Sequence, residues 1–109
     1  MESQSYILGQ FAATMHICEY TVLSEENAKM DVIIEEFMND PVGSFVFCQT
    51  KIALMHKDLL YFRKNILIEE IKRIYQELDT YNLKNTRMDK RDFIAGYQIQ
   101  LCWSKYVNV

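Results

Sequence analysis

His16 and His56, with Cys18, Cys48 and Cys102, are the side chains of this chain best suited to ligating a metal or to serving as a nucleophile with its base. Neither histidine stands at ligand spacing from a cysteine or carboxylate in a recognisable motif, so no metal and no cofactor is expected. The pairs Glu25–Glu26, Glu35–Glu36 and Glu69–Glu70 offer carboxylates for acid–base work. Neighbours in sequence, however, point to different faces of a helix and read as solvated surface. The chain has no glycine-rich phosphate loop and no nucleophile elbow. Catalysis is therefore not expected, and binding is the class of function that remains.

Charge points the same way. Residues 1–40 hold eight acidic side chains and one basic, and residues 41–109 hold eleven basic and seven acidic, so a net charge of −3 conceals −7 followed by +4. Such a split suits a chain placed between two partners. The basic residues fall in two groups. Lys51, Lys57, Arg63 and Lys64 lie on and after one predicted helix, and Lys84, Arg87, Lys90 and Arg91 surround the entry to another. If the groups converge they form a patch that tracks phosphates, with Lys51, Lys57, Arg63, Lys64, Arg87, Lys90 and Arg91 as its contacts. The carboxylates Glu25, Glu26, Glu35 and Glu36 are the expected contacts for a protein partner.

The elements that must position these groups are helices. With three glycines and one proline in 109 residues, the chain lacks the turns that many short strands require. Apolar residues recur at helical spacing from about residue 5 to 20, with Leu8, Phe11, Ala12, Met15 and Cys18 on one face. Ser24 followed by two glutamates is a start signal for a second helix running to about residue 38. Asn39-Asp40-Pro41 breaks it. A third helix restarts near Gly43 and buries Phe45, Cys48, Ile52, Met55 and Leu59, with Phe62 extending the stripe. A fourth covers roughly residues 66–80. Asp89 caps a fifth, whose inward face is expected to carry Phe93, Tyr97 and Leu101, widened by Ile94, Cys102 and Trp103 into a central, well-covered helix. The expectation is one all-α domain over residues 1–109, a compact antiparallel bundle of about five helices. Gly9 and Gly96 fall inside helices, where each costs about 1 kcal/mol relative to alanine unless a neighbouring helix comes close. The three cysteines are expected to be reduced and buried. No apolar run approaches the length of a membrane span, and the first ten residues lack a secretory pattern, so a cytoplasmic protein with no membrane partner is expected.

Three segments carry a resemblance: Tyr6-Ile7-Leu8-Gly9 with Ala12; residues 45–59 with His56; and Phe93-Ile94-Ala95-Gly96-Tyr97 with Gln98 and Gln100. In that order and spacing they resemble the C-terminal helical region of the large subunit of type I-C CRISPR effector complexes, which is also made separately as the small subunit. The resemblance spans nearly the whole chain. It implies a non-catalytic subunit of the Cascade complex in antiviral defence, touching the backbone and large subunits and, through the complex, guide RNA and target DNA. Gly9, Phe93, Gly96 and Tyr97 match positions that look structural in the family. After the glycine–tyrosine pair the family often has a histidine and further basic residues, whereas this chain has Gln98, Ile99, Gln100, Leu101 and Cys102. That departure and the acidic first third imply an alternative, a phage-type anti-CRISPR inhibitor that mimics the small subunit and blocks complex assembly or DNA binding.

Overall fold

In the computed structural model, which describes residues 3–24 and 30–109, α1 (Gln4–Leu23) forms the axis of the molecule. Small residues explain how. Ser5, Gly9, Ala12, Ala13 and Thr14 are buried alongside Ile7, Leu8, Phe11, Met15, Ile17 and Cys18, so neighbouring helices close on it from several sides. Around α1 lie α2 (Met30–Asn39), α3 (Pro41–Tyr61), α4 (Asn65–Glu77) and α5 (Lys90–Tyr106), with a 3₁₀ turn at Thr80–Asn85. The fold is an all-α bundle, and no strand occurs among the described residues. No helix among them is long and apolar enough to cross a membrane.

Contacts fix the directions. Ser3 bonds to Asp92 and Gln10 to Gln100, so α1 and α5 run side by side in the same direction. Phe11 packs on Phe45 and Glu19 pairs with Lys51, which gives α3 that direction too. α4 returns between them, from Glu70 beside Gln100 to Asp79, whose backbone N–H and carbonyl are both held by the Gln4 carboxamide. Alternation along the chain thus leaves the odd-numbered helices parallel to one another.

Asp89 caps α5 as expected, accepting from the Asp92 N–H at 3.0 Å. α3 starts at Pro41, two residues before the expected Gly43, because Asp40 accepts from the Gly43 N–H at 2.9 Å with the proline in the first turn. Ser24, expected to open the second helix, instead closes the first. It takes the left-handed conformation (φ 55°) and donates its N–H to the Tyr20 carbonyl, because the apolar pattern of α1 continues through Val22 and Leu23. α3 ends in the same way without a glycine: Arg63 has φ 57°, the Arg63 N–H donates to Leu60 O and the Lys64 N–H to Leu59 O.

Three burial expectations are corrected. The central helix is α1, not α5. Phe62 is half exposed at the C-terminus of α3, beyond the reach of its buried stripe. Cys102 is exposed, because α5 turns Phe93, Gly96, Tyr97, Gln100 and Ser104 inward and leaves Cys102 on the opposite side. Cys18 and Cys48 are buried as expected, and burial pushes both thiols up to about 12.

Candidate nucleic-acid and partner interface

The first and third resembling segments meet at the contact between α1 and α5, and the second, on α3, packs against α1 through Phe45 and Phe11. A Cβ on Gly9 would collide with the Phe93 carbonyl and stand 2.9 Å from the Tyr97 nitrogen, and one on Gly96 would collide with the Tyr6 carbonyl. Each glycine therefore admits the backbone of the other helix, the close approach that their mid-helix positions implied. Polar side chains complete the seam. Gln10 donates to Gln100 at 3.2 Å, Gln100 donates to Glu70 at 2.6 Å, and Arg73 donates to the other Glu70 oxygen at 2.5 Å. Glu70 is 8% exposed and Gln100 1%, so this chain of bonds fixes α1, α4 and α5 against one another inside the core. Its guanidinium end reaches Glu77 at 3.1 Å, nearer the surface.

His16 is absorbed into the same region. Its Nδ1 lies 2.5 Å from the Tyr97 hydroxyl and the rings meet edge to face. Burial lowers the histidine to about 4 and raises the phenol to about 12, so both are neutral at pH 7. His56 is exposed on a shallow groove with Gln49, Ile52, Ala53, Ile71 and Tyr75. Among the described residues no three His, Cys, Asp or Glu side chains come together as a metal site.

The two basic groups lie at opposite ends of the bundle. Lys57, Arg63 and Lys64 mark the far end of α3, whose last residue, Tyr61, lies roughly 24 Å of helix rise beyond Phe45. Arg87, Lys90 and Arg91 stand at the entry of α5, beside Ser3 and the start of α1. Convergence into one patch, the condition attached to the phosphate-tracking surface, is not met. Lys51 is separate again. It pairs with Glu19 at 3.3 Å and lies over the Phe47 ring, 5.8 Å from its centroid. Lys90 pairs with Glu35 at 3.8 Å across α5 and α2, both side chains well exposed, so a predicted phosphate contact and a predicted partner contact meet each other. Arg87 and Arg91 are exposed and make no ion pair with a described residue; the same holds for Lys57 and Arg63, and Lys64, partly buried, makes none either. Glu36 is exposed on α2, and Glu25 and Glu26 lie outside the described residues.

Comparison with protein-family models, curated proteins and solved structures yields no match. What sequence reading missed is the apolar character of the outward side of α3. Val46 (49%), Phe47 (51%), Leu54 (75%) and Tyr61 (80%) are all open to solvent. The signal was present, since Val46, Phe47, Leu54 and Tyr61 fall off the stripe of Phe45, Cys48, Ile52, Met55 and Leu59 that α3 buries.

Proposed function

We propose that this chain is a non-catalytic helical subunit of a type I CRISPR effector complex, acting in the cytoplasm and supporting target-DNA binding. The observation that carries the reading is the α1–α5 seam. Two of the three segments that resemble the family pack together there, and Gly9 and Gly96 admit the opposing backbones. The phosphate contacts are assigned to the entry of α5, where Arg87 and Arg91 stand exposed and unpaired with any described residue beside Lys90. Lysine and arginine placed there would exchange condensed counterions for phosphate oxygens, giving an affinity that falls with salt.

The acidic surface of α2 favours a second reading, an inhibitor that occupies the small subunit's place. Asp31, Glu35 and Glu36 are all exposed on that short helix, with Asp40 following. Carboxylates so displayed would compete with nucleic acid for a basic protein groove.

One experiment separates the two. Target-DNA binding is measured for a type I-C complex lacking its small subunit, with and without this protein, and then for the complete complex. Restored binding that is lost on Arg87→Glu and Arg91→Glu supports the subunit. No restoration, with inhibition of the complete complex that is relieved by Glu35→Lys and Glu36→Lys, supports the inhibitor. A protein without effect on either complex refutes both.

A further inference from the structure

The outward face of α3 has an internal symmetry. Gly43, Phe47, Thr50, Leu54, Lys57 and Tyr61 are all exposed, and their spacing alternates four and three, the seam of a coiled coil. Reversing the helix about the level of Ile52 maps this seam onto itself: Gly43 falls opposite Tyr61, Phe47 opposite Lys57, and Thr50 opposite Leu54. Each pair is complementary. The largest side chain of the seam meets its smallest, the Lys57 ammonium and stem meet an aromatic face, and Leu54 meets the Thr50 methyl. The same operation sets Asp40, at the start of α3, opposite Lys64, just beyond its end. Glu36 adds to the acidic end, where it lines a shallow concavity with Asp40, Gly43 and Phe47.

We propose that this face docks a second copy of this chain, the two α3 helices lying antiparallel about a two-fold axis at Ile52. Self-complementarity argues for a second copy over an unrelated partner, because an isologous contact requires a surface that matches its own reversal in shape and charge. Each copy brings its acidic end to the basic end of the other, twice per dimer, and the two helix dipoles run in opposition. The contact uses Lys57 and Lys64 and none of Arg87, Lys90 and Arg91, so it does not rest on the function proposed above.

The test is sedimentation velocity on the full chain from micromolar to millimolar concentration, with cross-linking to read the register. The expected result is a reversible dimer whose dissociation constant rises about 30-fold or more on Leu54→Lys, as for an interfacial hot spot. Leu54 is so exposed that the variant should keep the wild-type circular dichroism and melting temperature. In a Cys102→Ser background, Thr50→Cys with Leu54→Cys should form covalent dimers on oxidation, whereas either change alone should not, because like positions lie too far apart. A chain that stays monomeric throughout, a dimer indifferent to Leu54→Lys, or single-cysteine variants that cross-link as well as the double one would each overturn the proposal.

Discussion

Replacing Gly96 with alanine separates two opposed effects whose magnitudes can be set against each other. Alanine is the better helix former by about 1 kcal/mol, so at an exposed position of α5 the change would stabilise the protein. At Gly96 the added methyl has no room. It would collide with the backbone carbonyl of Tyr6, which cannot rotate aside as a side chain can. The helices must part, and parting them disturbs both the matching contact at Gly9 and the Gln10–Gln100 bond. Overpacking of this kind costs about 1–3 kcal/mol, and more where the obstacle is backbone. The net expectation is a loss of about 1–2 kcal/mol, a fall in melting temperature of roughly 4–10 °C for a chain of this size. Gly9→Ala should behave alike. The double variant should lose less than the sum of the two, because helices already parted by one methyl accommodate the other. Thermal unfolding followed by circular dichroism measures all three, and a melting temperature unchanged or raised in Gly96→Ala would refute the close contact.

Three further expectations rest on single sites. His16 has a folded-state value of about 4 against an ordinary 6.5, so the unfolded chain takes up the proton first: its contribution is complete above pH 6.5 and is lost as the pH falls toward 4. The full shift corresponds to about 3 kcal/mol, discounted to roughly 1–2 because the ring is not wholly buried; denaturant titrations across pH 4–7 should flatten in His16→Gln. Gln100→Leu should cost about 1–3 kcal/mol by leaving Gln10 and one Glu70 oxygen without their bond, and Gln100→Glu, which sets two carboxylates together, should cost more in the same assay at pH 7. Arg63→Gly should stabilise by about 1 kcal/mol, since glycine takes the left-handed conformation without penalty; an unchanged urea midpoint would count against that cap.

What could be read from the chain follows from how local each signal is. The buried stripe of α3, the break before Pro41 and the Asp89 cap depend on neighbours within one turn, and they stand where the pattern puts them. The close approach at Gly9 and Gly96 was also legible, because a mid-helix glycine needs a reason. The inward face of α5 was legible at Phe93 and Tyr97 but not at Gln100 and Ser104. A polar side chain gives no apolar signal of burial, and Gln100 turns inward only because Gln10, ninety residues away, and Glu70 supply its bonds. The left-handed caps at Ser24 and Arg63 carry no glycine to announce them. The separation of the basic groups depends on which way each helix runs, a property of the assembled bundle that charge patterning does not contain.

The pairing of α1 with α5 also sets the order of events at synthesis. Leu23 ends the first helix and Lys90 begins the last, so a ribosome adding about 5–20 residues per second makes α5 several seconds after α1 has emerged. Through that interval the helix destined to be enclosed on several sides has only part of its covering, and Phe11 and Met15 wait beside the strip of small residues that α5 will fill. Contacts separated by more than eighty residues close last, since the loop entropy they oppose is the largest in the chain. Until α5 docks, this bundle is therefore open to holdases and to aggregation along the uncovered side of α1.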